Sequence, residues 1–204
     1  MLLLKKIVNR LLKQLQISRI ATDERVVYLT FDDGPEPGIT EFVLDELRRY
    51  GFHATFFCRG DNAEKYPDLL QRIKDEGHAV GNHTYSHLHA FQPRSDAYVM
   101  DVERANSILQ TKLLRPPYGS LRFAAWLRLH SKYQVYYWTL NSGDSDMDRY
   151  DRAKSMESQI QQTVPGAIVL YHFCIKHEHE TRDLLPQYLS WLKENGYTSK
   201  SITF

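Results

Sequence analysis

The chain has only two cysteines, Cys58 and Cys174, too few for the disulfide frameworks that hold small exported domains together. Both are expected to be reduced structural thiols. No apolar run approaches the roughly 20 residues needed to span a bilayer. There is no low-complexity tract and no short repeat. A glycine-rich phosphate turn after an early strand is also missing, which argues against an open doubly wound nucleotide-binding sheet. Charge of either sign is not in excess: 26 basic residues face 25 acidic ones, a net +1 that gives no electrostatic reason to expect nucleic acid as a partner. What remains is an ordinary globular composition, 42% hydrophobic over 204 residues, enough for one domain with a sizeable core.

Acidic residues are absent from one stretch. Residues 1–19 carry Lys5, Lys6, Arg10, Lys13 and Arg19 with no acid, which leaves the remainder about four charges negative. Leu4, Ile7, Val8, Leu11, Leu12 and Leu15 recur there at helical spacing, so residues 1–22 read as a basic amphipathic helix ahead of one domain over 23–204. Three destinations stay open for that helix: the protein's own surface, an anionic membrane face, or a partner protein. The basic residues interrupt any export-type apolar core, and no small-residue cleavage site follows. The expected location is cytoplasmic, with peripheral contact at the inner membrane face as the alternative. Oligomeric state is not readable.

Strand-like and helix-like segments alternate from there on. Strands are predicted at Val26–Phe31, Ala54–Cys58, His78–Gly81, Lys112–Leu114, Gln134–Trp138, Ala167–His172 and Ser201–Phe204. Helices are predicted at Ile39–Tyr50, Glu64–Glu76, Ser95–Gln110, Leu121–His130, Ala153–Thr163 and Thr181–Glu194, with Gly51, Gly77 and Gly196 placed to stop three of them. Alternation at this period predicts parallel strands with crossover helices, an α/β fold of distorted, incomplete barrel type with about seven strands.

Polar residues suited to chemistry fall at the C-terminal ends of those strands, where barrel enzymes assemble their sites. Asp32 and Asp33 end the first, just before Gly34-Pro35. Adjacent carboxylates leaving a strand cannot share one environment, so one can bind a cation while the other moves protons. His83 and His87, four apart in His83-Thr84-Tyr85-Ser86-His87, are expected on one side of a helical turn where they can grip one metal ion. Alone, this pair is equally well two surface residues of one helix. With Asp33 it makes a set of two nitrogens and one oxygen with a position left for water, the form of a catalytic zinc site. Zinc lowers the pKa of bound water to about 7.

Four ordered motifs resemble the NodB-type polysaccharide deacetylases, carbohydrate esterase family four. They are Thr30-Phe31-Asp32-Asp33-Gly34-Pro35, the His83–His87 pentad, Arg115-Pro116-Pro117-Tyr118-Gly119, and Leu170-Tyr171-His172. The resemblance implies a distorted barrel and removal of N-acetyl groups from an amino sugar, polysaccharide or glycan precursor, with release of acetate. It implies one divalent ion, zinc or else cobalt or nickel, on Asp33, His83 and His87. Asp32 would be the general base and Arg115 would hold it in place. Tyr118 would offer its backbone N–H to the oxyanion, Leu170 would line the acetyl pocket, and His172 would be the acid that protonates the leaving amine.

A fifth motif departs from the family pattern of Asp-x-x-Asp-Trp. Asn141 stands for the first Asp, Asp144 matches the second, and Ser145 replaces the Trp. Asp144 is therefore the expected partner of the acid His172, with Asp146 as its substitute, and an aromatic surface for sugar stacking is expected to be lost. His78 and His89 read as structural and loop residues. His177-Glu178-His179-Glu180 reads as a solvated charge run that could border the groove, and Glu64–Glu76 as a helix with a wet face. Two other functions stay open: an O-acetyl esterase using the same base and metal, and an inactive sugar-binding relative. Without an export signal, a lipid-linked or nucleotide-linked acetylated sugar is the expected substrate.

Overall fold

The computed structural model describes residues 17–91, 94–146 and 150–204. Seven parallel strands form one curled sheet in the order β5-β4-β3-β2-β1-β7-β6. They are β1 (Val26–Asp32), β2 (Ala54–Cys58), β3 (Ala79–Asn82), β4 (Leu113–Leu114), β5 (Gln134–Val135), β6 (Leu140–Asn141) and β7 (Ile168–His172). An eighth short strand, β8 (Thr198–Ser199), lies beside the start of β1, partnering Val26 and Val27. The two edge strands, β5 and β6, are consecutive in the chain and share no ladder. The link between them instead reaches for both edges: Tyr136 N–H donates to the Leu114 carbonyl at 2.9 Å and Thr139 N–H to that of Ile168 at 2.8 Å. The result is the incomplete barrel expected from the alternation.

The seven helices among the described residues are α1 (Ile39–Tyr50), α2 (Gly60–Lys65), α3 (Pro67–Asp75), α4 (Ser95–Leu109), α5 (Phe123–Leu129), α6 (Arg152–Gln162) and α7 (Glu178–Glu194). In α1 the apolar residues Ile39, Val43, Leu44 and Leu47 recur on one face, and all four are buried. Full burial of each such side chain contributes about 1.5–3 kcal/mol. Gly51 ends the helix in the left-handed region at φ 67°, where a Cβ would be strained. Beneath α1, Phe31 stacks on Phe56 at 5.1 Å, and Phe56 meets the edge of Phe173 at the same separation.

Several boundaries differ from the sequence expectation. The single helix Glu64–Glu76 is two, because Pro67 lacks an N–H and forces Tyr66 out of helical geometry (φ −127°, ψ 62°). The strand Gln134–Trp138 stops at Val135, and β6 follows separately. The final strand lies at Thr198–Ser199 and not at Ser201–Phe204, since pairing with Val26 and Val27 fixes its position. Residues 1–16 of the expected basic helix lie outside the described residues. Residues 17–22 are not helical, with Ile17 bridging Tyr136 and Arg19 bridging Ala167. Among the described residues no helix is long and apolar enough to cross a membrane.

Candidate metal centre and its flanking acid and base

Strand register brings the candidate residues together. Asp32 pairs with His172 across the β1–β7 ladder, Cys58 with Asn82 across β2–β3, and Asn82 with Leu114 across β3–β4. His83 and Arg115, each one residue past its strand, therefore emerge at the same level as Asp32. Asp32, Asp33, His83, His87, Tyr118, Leu170 and His172 line one cavity of about 530 Å³. Arg115 and Asp144 stand behind it, both fully buried.

The two carboxylates of the first motif do part. Asp33 adopts φ 83°, a left-handed conformation uncommon for a residue with a Cβ, so the backbone turns sharply between Asp32 and Asp33. Gly34 follows because nothing larger fits: a Cβ there would lie 2.4 Å from the Phe173 ring and 2.6 Å from its carbonyl oxygen. Asp33 Oδ1 points to His83 Nε2 at 3.4 Å and His87 Nε2 at 3.0 Å.

The histidine pentad is not helical, contrary to expectation. Asn82 Oδ1 accepts from Thr84 N–H at 2.8 Å, Asp101 Oδ2 accepts from the N–H groups of Tyr85 and Ser86, and Thr84 Oγ1 accepts from Leu88 N–H. These side-chain bonds take the amides that a helix would need, so the segment forms a loop with Thr84 at φ 64° and His87 at φ 55°. The loop still delivers both imidazoles to Asp33.

The donor set fits a cation. His83 Nδ1 lies 2.8 Å from the Arg115 carbonyl, an acceptor, so Nδ1 carries the proton and Nε2 presents its lone pair to Asp33. Asp33 Oδ1 is buried and has no hydrogen-bond partner. A lone pair facing a buried, unpartnered carboxylate oxygen is unfavourable unless a positive charge sits between them. Burial alone would raise the Asp33 carboxyl, and with no ion present only protonated His83 and His87 imidazoles, donating to it, would pull it well below the usual carboxylate range, a role that an ion takes over when the imidazoles turn their lone pairs to it. His78, by contrast, is structural: its Nδ1 accepts from the Ala54 N–H at 3.2 Å, and burial beside His53 lowers it to about 4.

Asp32 is held from behind. Arg115 Nη1 donates to Asp32 Oδ1 at 2.8 Å and to Thr30 Oγ1 at 2.7 Å, and Nη2 donates to the Tyr137 carbonyl at 2.9 Å. The guanidinium lies 4.2 Å over the Phe57 ring. Asp32 Oδ2 stays on the cavity side, 3.8 Å from His83 Nε2. Removing the guanidinium would strand a buried carboxylate, so Arg115→Ala should cost about 3–5 kcal/mol in chemical denaturation. Lysine should not restore it, because it lacks the planar fork. A loss below about 1 kcal/mol would contradict this role.

Across the cavity, His172 Nδ1 lies 2.9 Å from Asp144 Oδ1, while Asp144 Oδ2 accepts from the His172 backbone N–H at 2.6 Å and from the Thr181 hydroxyl at 3.0 Å. Burial disfavours the imidazolium, but the adjacent Asp144, with smaller help from Asp33 and Asp32, raises His172 to about 9. The partner is thus Asp144 and not Asp146. Asn141 serves the turn instead, its Oδ1 accepting from Gly143 N–H at 2.9 Å.

The aromatic wall is not lost with Ser145. Trp138 lines the cavity together with the exposed Tyr118 ring, which contacts His87 at 4.7 Å and His89 at 5.0 Å. Gly119 is required against that tryptophan, since a Cβ would meet its ring at 2.8 Å. His177 also departs from expectation, being buried and lining the cavity and not part of a solvated run. Cys174 lies nearby as a free thiol that burial pushes up to about 12, which leaves it a poor nucleophile. Thr30, Thr181, Trp138, Cys174 and His177 are the contributors that sequence reasoning did not assign.

A curled parallel sheet carrying a two-histidine, one-carboxylate cluster between a backed carboxylate and a backed imidazole defines a barrel hydrolase with a candidate metal centre. Residues 19–138 match the family model described as polysaccharide deacetylase, and the chain belongs to that family, carbohydrate esterase family four. It is 33% identical over 192 residues to the peptidoglycan-N-acetylmuramic acid deacetylase PdaA of Bacillus subtilis, covering 89% of this chain and 71% of that one. The crystal structure of the Bc1960 peptidoglycan N-acetylglucosamine deacetylase superposes with a TM-score of 0.85 at 28% identity, covering 92% of this chain and 91% of that one. A mutant of BA3943, a "CE4 family pseudoenzyme with restored enzymatic activity", superposes with a TM-score of 0.79 at 26% identity, covering 92% and 69%. The chain spans 64–86% of the length of the first curated relatives it matches.

Proposed function

We propose that this chain is a metal-dependent N-deacetylase that releases acetate from an N-acetylated amino sugar of a peptidoglycan-type or chitin-type glycan. The observation that carries this reading is the His172–Asp144 pair facing the Asp33–His83–His87 cluster across one cavity. An amide differs from an ester in having a poor amine leaving group, which needs a proton as the bond breaks. A histidine kept charged by a buried aspartate supplies one. An O-acetyl ester would make little use of it.

A divalent ion on Asp33, His83 and His87 supplies Lewis-acid polarisation and acidifies water at neutral pH. The remaining work belongs to the chain. Asp32 Oδ2, its other oxygen fixed by Arg115, takes the proton of the attacking water. The nitrogen of His172 left free by Asp144 delivers a proton to the departing amine. The Tyr118–Gly119 turn, with both residues at positive φ and the Gly119 N–H donating to the Pro116 carbonyl at 3.1 Å, is suited to present the Tyr118 backbone N–H to the oxyanion. Leu170 closes the pocket for the acetyl methyl, and Trp138 and Tyr118 flank the sugar.

His87→Ala should lose the bound ion and with it acetate release, measured as metal content per chain beside turnover. A variant that holds an ion on Asp33 and His83 as tightly as the wild type, with no thiolate-to-metal band to place it elsewhere, would contradict the ligand assignment. The substrate itself is tested by acetate release from N-acetylglucosamine oligomers, peptidoglycan fragments containing N-acetylmuramic acid, and O-acetylated xylan. Release from xylan alone would favour the esterase, and release from none an inactive sugar-binding protein.

A further inference from the structure

Cys174 and His177 line the cavity but have no part in the chemistry above. A 3₁₀ turn over Ile175–His177 brings them together, its His177 N–H donating to the Cys174 carbonyl at 3.1 Å. Glu36 anchors that turn by accepting from the Ile175 N–H at 2.6 Å. The Cys174 thiol, one His177 ring nitrogen and a carboxylate oxygen of Asp33 all lie within 4.8 Å of one another. Cys174 is 6% exposed and His177 4% exposed. His177 Nδ1 is buried without a hydrogen-bond partner. Leaving such a group unpaired costs about 1–3 kcal/mol, so this imidazole is open to a ligand, a water or a cation, that enters from the cavity.

We propose that Asp33, Cys174 and His177 form a second cation site, joined to the first through the Asp33 carboxylate, which takes Zn²⁺ or Co²⁺ when the ion is in excess. One thiolate, one imidazole and one carboxylate make a borderline-soft set of the kind zinc prefers. Donors around a tetrahedral zinc stand about 3.3–3.8 Å apart, so the observed spacing needs a closure of no more than about 1.5 Å. Binding releases the thiol proton to solvent. Arg59 and Lys176 line the same cavity and oppose a second dication, so this site is the weaker of the two. An ion here would share the carboxylate of the first site and crowd His172, whose ring lies 5.0 Å from that of His177. Excess zinc should therefore inhibit, a consequence that rests on the deacetylase reading, whereas the binding itself does not.

The test uses the full chain loaded with one equivalent of Zn²⁺ and titrated with Co²⁺. An intense near-ultraviolet thiolate-to-cobalt band should grow and saturate at about one further equivalent. It should vanish in Cys174→Ser, persist in Cys58→Ala, and require more than about 100-fold more cobalt in His177→Ala. It should also persist in His87→Ala, which separates this site from the first and from any failure of the deacetylase reading. In activity assays, excess Zn²⁺ should inhibit the wild type and spare Cys174→Ser. Absence of the band in the wild type, or its survival in Cys174→Ser, would overturn the site. Equal zinc inhibition of both proteins would overturn its link to catalysis.

Discussion

Asp32→Asn should lower acetate release by about 10²–10⁴-fold while the metal content per chain stays unchanged. The two neighbouring carboxylates have different partners, and the substitution separates them. Asp33 faces the two imidazoles, whereas Asp32 Oδ1 is committed to Arg115 and only Oδ2 remains on the cavity side. An amide in its place cannot accept a proton from water, yet it removes none of the three groups assigned to the ion. The loss should fall on kcat, since Asp32 is not needed to hold the sugar. Turnover within about tenfold of wild type would remove Asp32 as the base. Loss of metal would mean that both carboxylates serve the ion.

Asp144→Asn should reshape the pH profile. In the wild type His172 is raised to about 9, so its charged form is stabilised by folding. That contribution is complete below the ordinary histidine pKa of about 6.5 and is lost as pH climbs through the folded value. Acetate release should therefore fall on an alkaline limb at about 9 or somewhat below, because an ion on Asp33 neutralises one of the charges that raise His172. Without the Asp144 charge only the opposing burial effect and two weaker partners remain, and the alkaline limb should move down toward neutral pH or lower. At pH 7.5 the variant should lose about 10²-fold or more of its turnover. A merely structural role for Asp144 would lower activity evenly across pH and leave the limb in place.

Much of this arrangement was legible in the chain. Helix Ile39–Tyr50 and strand Ala54–Cys58 fall on their expected boundaries, because apolar spacing and Gly51 specify them locally. The site residues were legible for a related reason: each sits at or just past the end of a strand, and a parallel sheet brings those ends to one edge. The expected single helix Glu64–Glu76 overlooked a signal the sequence does carry, since a proline at a first helical position forces the preceding residue out of helical geometry. The conformation of the histidine pentad was not legible. His83 and His87 have helical spacing, but Asp101, distant in sequence, takes the amides of Tyr85 and Ser86 and turns the segment into a loop. Supporting groups were hidden for the same reason. Thr181 reaches Asp144 from 37 positions away, and Trp138 walls the cavity only because the β5–β6 link folds across the open edge of the barrel. No local pattern announces either.

The most direct measurement is acetate release from N-acetylglucosamine oligomers and from peptidoglycan fragments by the full chain, before and after a chelator, with metal content determined in parallel. Release that accompanies about one equivalent of bound zinc, cobalt or nickel, disappears with the chelator and returns when the ion is restored is the expected result. Release that survives complete removal of the metal would contradict the central claim, as would a metal-loaded protein that frees acetate from none of these amides.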